Sequence, residues 1–468
     1  MSQAESTEKM AAENPAGKVK WSSRSTFLMA AIGAAVGLGN IWRFPYITGE
    51  NGGGAFVLLY ILFVFIIGFP LIMAELALGR AGKKSAIGTM QDMIRQGHSP
   101  LWKIIGILSL LVPLMGLMYY SVVAGWSLDY IFQALKGSFQ NIDAQQSGAL
   151  FGELQQSWPR LTFWHSLYMV GIIIMVSLGL RGGLEKTVKF MMPSLFFILV
   201  GLATYAMITG DGLKTLSFLF RPDFSKITGD VVLMAMGQAM FSLAIGTGAM
   251  ITYGAYLPRD IKLPRVAKII ALSDTLVAML AGLMIFPIVF QYGLAPQGGP
   301  GLIFTTLPIA FGQMPGGMVF AIFFFILLSL AAFTSSIAML EPAISWFEDK
   351  GLSRVKMAWV TGGIAWAVGV TIALSSNILA HVRPLGLIPV FADKNLFDTM
   401  DYLVANVMLP LNALLLSLFV GWVMSRATLS DQLDLPLKKM PYQLWQFAVR
   451  FLAPVAIMII LYLKITAI

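Results

Sequence analysis

Gly33-Ala34-Ala35-Val36-Gly37-Leu38-Gly39-Asn40 is a glycine-broken, polar-ended stretch inside what otherwise reads as a membrane-spanning helix. Each glycine weakens a helix interior by roughly 1 kcal/mol relative to alanine, so the backbone is expected to unwind here and leave carbonyl oxygens unpaired. Irregular backbone at membrane depth is tolerated only where it packs in protein or lines a polar cavity, and bare carbonyls around a cavity are ligands for a hard cation. A second break stands at Ser242-Leu243-Ala244-Ile245-Gly246-Thr247-Gly248. Two broken helices, one in each half of a polytopic chain, are the sequence pattern of a secondary transporter.

Composition sets the class around these breaks. The 468 residues are 57% hydrophobic and 12% charged, with mean hydropathy +0.77, far from soluble usage. Runs of about 20 apolar residues predict eleven transmembrane helices in an all-α integral membrane protein. They lie near 24–48, 54–79, 101–134, 162–180, 186–208, 230–256, 264–291, 316–348, 355–376, 398–424 and 443–466. Placing the N-terminus in the cytoplasm puts most of the 32 Lys and Arg on the cytoplasmic side, as the positive-inside rule requires. The odd helix count then leaves the C-terminus external, in a plasma (inner) membrane. The basic charge is spread over separate loops, which argues against nucleic-acid binding.

Residues 1–22 read as a cytoplasmic tail without the apolar core of a signal peptide. Residues 23–424 read as a transporter core of two inverted repeats, about 24–208 and 230–424, giving a 5+5 arrangement with helices 1 and 6 broken. Residues 425–468 supply a cytoplasmic loop and helix 11. There is no cysteine, so disulfides and thiolate metal sites are excluded. His98, His165 and His381 are scattered, without paired-ligand or catalytic spacing, and no nucleotide-binding motif is present, so no enzyme is expected.

Extending the first break gives Gly37-Leu38-Gly39-Asn40-Ile41-Trp42-Arg43-Phe44-Pro45, followed by Glu50-Asn51-Gly52-Gly53-Gly54-Ala55-Phe56. These segments closely resemble the signature of the neurotransmitter:sodium symporter family. Similar patterns recur at Pro70 to Arg80, Tyr119-Tyr120 with Trp126, Gly237-Gln238 through Tyr256, Thr334-Ser335-Ser336, Phe347-Glu348-Asp349 and Asp398 to Asp401. The resemblance covers helices one to ten and implies the LeuT fold of bacterial amino acid transporters, with sodium-coupled uptake by alternating access.

Carried over position by position, the resemblance implies two sodium sites. Site 1 takes the carbonyl of Ala35, the side chain of Asn40, Ser242 and Asp274. Site 2 takes the carbonyls of Gly33, Val36 and Ala331 with the hydroxyls of Thr334 and Ser335; the plain alternative is that these hydroxyls back-bond to their own helix. Chloride-dependent members resemble one another in carrying Asn where Asp274 stands and Ser where Ala278 stands. A carboxylate inside the membrane costs about 2.5–3.5 kcal/mol unless paired. Asp274 is therefore expected to replace chloride as counter-charge, or to form a helix-to-helix hydrogen bond, and a proton exchange through it stays open.

The same resemblance implies a substrate site of Ala35, Leu38, Gly39, Gly116, Tyr120, Phe241, Ala244, Thr247, Ser335 and Met339. Exposed amides at the half-helix would take a carboxylate. Gly116 and Ala244 opposite a flexible methionine leave volume for a large apolar side chain, although Gly116 equally suits close helix packing. Arg43 and Asp401, with Phe241 and Tyr120, are the expected outer gate. Lys18, Trp21, Tyr256 and Asp349 are the expected inner gate, Lys18 standing where the family usually has Arg. Glu75 resembles a carboxylate that holds unwound backbone, with Asp274 or backbone amides as neighbours. Glu341 has no assignment. A sodium-dependent amino acid sensor, a carrier of another small amine and a channel remain as rivals, the channel disfavoured by charged gates. The expected partners are a small amino acid and membrane lipids.

Overall fold

The computed structural model describes residues 21–295 and 301–466. Among the described residues all regular structure is helical. We number the principal helices in chain order: α1, Arg24–Ala35 plus Gly39–Glu50; α2, Gly54–Gly82; α3, Pro100–Leu135; α4, Trp158–Ser177; α5, Leu180–Thr209; α6, Gly229–Ser242 plus Ala249–Ala255; α7, Leu263–Gln291; α8, Gly317–Asp349; α9, Arg354–Ser376; α10, Leu396–Val423; α11, Met440–Lys464. Nine of these are long and apolar enough to cross a membrane, and α1 joins them as a pair bent by 49°. Each part of α6 is too short to pass alone. The other helices, among them Ala86–Arg95, Ala144–Gln156, Gly212–Phe220, Leu302–Gln313 and Arg426–Leu433, are shorter, and the hydropathy reading passed over them because none is both long and apolar.

Both glycine-rich stretches interrupt their helices. At the first, α1 stops after Ala35, and Val36 takes an extended conformation with φ −70° and ψ 113°. At the second, Ala244, Gly246 and Gly248 all have positive φ, 52°, 86° and 74°. That conformation is free for glycine and costs an alanine about 1–3 kcal/mol, strain of a kind that collects at functional sites.

Proline shapes the rest of the winding. The π-wound turns Gly39–Arg43, Val64–Gly68, Leu302–Thr306, Leu403–Met408 and Ala448–Leu452 are each followed two residues later by a proline, Pro45, Pro70, Pro308, Pro410 and Pro454. The proline ring clashes with the carbonyl four residues back and offers no N–H, so the preceding turn widens to i→i+5 bonds.

The core is built on α3 against α8, with the first part of α1 packed on α5 and α8. The two parts of α6 run along the two halves of α2. Phe190 and Phe197 on α5 and Ile364 on α9 face outward and exposed, the apolar periphery a lipid-embedded bundle needs. α1 and α6 thus lie at the centre, and both breaks face neighbours that supply polar side chains.

Candidate cation and substrate site

At the first break the Ser335 hydroxyl on α8 lies 3.2 Å from the carbonyl of Gly33 and 3.0 Å from that of Val36. One hydroxyl proton cannot saturate two carbonyls, each of which has two lone pairs. Thr334 bonds its own helix instead, 3.1 Å to the carbonyl of Ala331. Its Cβ nonetheless comes within 3.2 Å of where a side chain on Gly33 would start. Gly33, Val36, Ala331, Thr334 and Ser335 therefore form one cluster of uncharged oxygens across α1 and α8. Such a set suits a hard monovalent cation that must bind and leave.

A second cluster lies where α1, α2, α6 and α7 meet. Asn40 Nδ2 donates to Asp274 Oδ1 at 2.7 Å, to the Asp274 carbonyl at 3.1 Å and to Ser242 Oγ at 2.8 Å. Ser242 Oγ donates to Asp274 Oδ2 at 2.7 Å, and Asn40 Oδ1 accepts the Gly37 N–H at 3.0 Å. Asp274 is fully buried. Its side-chain partners among the described residues are all neutral, the third being the hydroxyl of Tyr60 at 3.2 Å. A buried carboxylate ringed by neutral dipoles has its charge uncompensated by any side-chain cation, the electrostatic condition under which a bound cation would be favoured. Ala35, the other residue expected here, ends the first part of α1 and is buried. Tyr60 escaped the sequence reading. Its signal was a phenol in the apolar run of α2, since a hydroxyl at that depth needs a partner.

Between the clusters, Tyr120 Oη on α3 accepts the Leu38 N–H at 3.0 Å. A side chain on Gly37 would sit 2.6 Å from Ser335 Oγ and 2.8 Å from Tyr120 Oη, so only glycine fits there. Gly39 gives its carbonyl to Gln238 Nε2 at 2.9 Å and lies against the Phe241 ring. Thr247 Oγ1 donates to the Ala244 carbonyl at 2.7 Å and stabilises the strained turn. Gly116 has nothing nearer to its absent Cβ than Val404 Cγ1 at 3.8 Å and Met339 Sδ at 4.0 Å. A side chain starting there would meet both in ordinary van der Waals contact, so the position has room for a methyl group beside α8 and α10.

A cavity of about 320 Å³ opens above Tyr120 and Phe241, with Leu38 and Gly39 at its base and Trp42, Arg43, Trp126 and Asp401 around it. Gly116, Ala244, Thr247, Ser335 and Met339 lie outside this lining. Arg43 does not close onto Asp401; its guanidinium lies 4.2 Å over the Phe241 ring. At the opposite end Trp21 is buried, edge-on to Phe27 and Tyr253, and donates to the Tyr253 carbonyl at 3.3 Å. Tyr256 donates to Ser345 at 3.1 Å, and the Asp349 carboxylate accepts the Ser85 N–H at 2.7 Å. Lys18 lies outside the described residues. Trp21 is thus buried against aromatic neighbours, while the end carrying Arg43 holds a cavity.

Two buried carboxylates outside the clusters have structural partners. Glu75 accepts the Gly246 N–H at 2.7 Å, a backbone amide of the second break. Glu341 pairs with Arg354 through both oxygens, at 3.1 and 2.5 Å, and Arg354 also reaches Glu348 at 3.0 Å and the Val176 carbonyl at 2.8 Å. This ties α8, α9 and α4 together. No group of three or more His, Cys, Asp and Glu able to hold a metal exists among the described residues.

The sequence profile of the sodium:neurotransmitter symporter family matches residues 18–147 and 155–468. The chain belongs to that family. This symporter is 36% identical over 446 residues to a sodium-dependent transporter of Bacillus subtilis, covering 94% of the chain and 96% of the relative. It is 35% identical over 453 residues to one of Haemophilus influenzae, again 94% and 96%. The crystal structure of MhsT in complex with L-phenylalanine matches it with a TM-score of 0.86 at 38% identity, over 96% of this chain and 100% of that one. The symporter is accordingly a multi-pass membrane transporter and not an enzyme, uses sodium, and has a small molecule as substrate.

Proposed function

We propose that this chain imports an amino acid with a large apolar side chain, coupled to sodium at two sites and independent of chloride. The observation that carries the proposal is the pair of oxygen clusters on either side of the first break: Ser335 spanning the Gly33 and Val36 carbonyls, and Asp274 held by Asn40, Ser242 and Tyr60. The first cluster is neutral and the second carries one carboxylate, so a cation in the second is already counter-charged. Chloride then has no charge left to supply there, and exchange of a proton at Asp274 belongs to the same reading. The substrate carboxylate takes the Leu38 and Gly39 amides with Tyr120, and its side chain points to Gly116 and Met339. MhsT, with its bound phenylalanine, supports a large apolar side chain.

The reading includes eleven spans, with the two parts of α6 counted as one, and two inverted repeats, about 24–208 and 230–424. Residues 1–22 and the loop before α11 are cytoplasmic and the C-terminus is external, in a plasma membrane. Arg43 and Asp401 close above the substrate, and Trp21, Tyr256 and Asp349 open below it. Two sodium ions moving down 100 mV release roughly 4.6 kcal/mol, enough for about a thousandfold accumulation of a zwitterion.

The test is uptake of a labelled amino acid panel into proteoliposomes, with sodium replaced by choline and chloride by gluconate. Concentrative uptake of leucine, methionine or an aromatic that is lost in choline and kept in gluconate is expected. Uptake indifferent to sodium overturns the reading, and sodium-dependent binding without accumulation moves the protein to the sensor class.

A further inference from the structure

We propose that Val404 of α10 is a specificity-determining residue, forming the wall against which the far end of the substrate's side chain packs. This rests on the amino acid symport reading. Tyr120 and Gly116 stand one helical turn apart on α3, and Ser335 and Met339 one turn apart on α8, so each helix offers a polar residue at one level and a small or flexible apolar residue at the next. The polar level is fixed at the first break, where Tyr120 takes the Leu38 amide and Ser335 the Gly33 and Val36 carbonyls. The apolar level lies at Gly116, where a Cβ would touch Val404 Cγ1 at 3.8 Å and Met339 Sδ at 4.0 Å, both in ordinary van der Waals contact.

Of these two walls, methionine is unbranched and yields to different shapes, whereas valine is β-branched and stiff. Val404 is 4% exposed, so it has little room to retreat. It also sits in the π-wound turn Leu403–Met408 that Pro410 imposes, three residues after Asp401 on the same helix. One helix thus brings both the gate carboxylate and the rigid wall. No sequence signal marked Val404, because an isolated valine in an apolar span looks like any lipid-facing or core residue.

The experiment compares the unsubstituted chain with Val404→Leu and Val404→Ala in proteoliposomes. Alanine, valine, leucine, methionine and phenylalanine compete against the best labelled substrate, and the sodium half-saturation is measured without amino acid. Val404→Leu is expected to weaken the largest accepted side chain about tenfold relative to alanine, the scale of one methylene in a tight pocket. Val404→Ala should move the preference toward larger side chains, and neither variant should shift the sodium half-saturation. Parallel loss across the panel, or a profile that does not change, overturns the role of Val404 while leaving symport intact. Absence of sodium-dependent amino acid binding in the unsubstituted chain overturns both.

Discussion

The two broken helices use one device for opposite ends. At the first break the unwound backbone meets neutral partners, and two of its carbonyls, those of Gly33 and Val36, share the one Ser335 hydroxyl, while the Leu38 amide goes to the Tyr120 hydroxyl. At the second break they meet dedicated ones. The Gly246 N–H goes to the Glu75 carboxylate at 2.7 Å and its carbonyl to Asn412 Nδ2 at 2.6 Å, which is itself held by Ser109 at 3.0 Å. A backbone whose oxygens are only half satisfied keeps lone pairs available to a ligand, and one whose groups are individually fastened is an anchor. Among the described residues, the second break contributes a side-chain hydrogen bond to the Asp274 cluster through Ser242, at the helical end before its unwound turn.

This contrast predicts that substitutions at the first break act on sodium and those at the second act on stability. The largest effect is expected from Asp274→Ala, which removes the one carboxylate of the cluster. Sodium-dependent uptake should fall about a hundredfold, the equivalent of roughly 3 kcal/mol for a lost charged ligand, with the protein still eluting as a folded species. Glu75→Ala should do the reverse. Losing a buried, charge-assisted bond to Gly246 costs about 1–3 kcal/mol, read as a lower melting temperature in detergent, while the sodium half-saturation of the surviving protein stays within about twofold. A large sodium shift in Glu75→Ala would break the division between the two breaks. The smallest effect belongs to Tyr60→Phe, which deletes one neutral donor to Asp274. It should raise the half-saturating sodium concentration about threefold, in keeping with about 0.5–1.5 kcal/mol for a neutral hydrogen bond.

Much of this was legible in the chain because glycines inside an apolar run have few uses. Gly37 and Gly246 mark the breaks directly, and Asp274, a carboxylate within an apolar span, stood out by its cost there, while its place beside Asn40 and Ser242 came from the family resemblance. The long apolar helices were equally plain, with ends displaced by a few residues. What escaped was anything decided by three-dimensional packing. Tyr60 joins Asp274 only because α2 passes α7, Arg354 explains Glu341 only across a loop, and Val404 borders Gly116 only because α10 crosses α3. The π-wound turns were readable in principle, since a proline two residues downstream accompanies five of them, but hydropathy carries no trace of winding. Of the residues expected at the outer gate, Arg43 rests on Phe241 and not on Asp401, a packing detail that composition does not encode.

The most direct test of the central claim, that the first break is itself a cation ligand, is a sodium titration of Ser335→Ala by intrinsic tryptophan fluorescence without amino acid, so that cation binding is separated from substrate binding. The account predicts a half-saturating sodium concentration raised about tenfold, or roughly 1.4 kcal/mol. A titration that superimposes on that of the unsubstituted chain would contradict it.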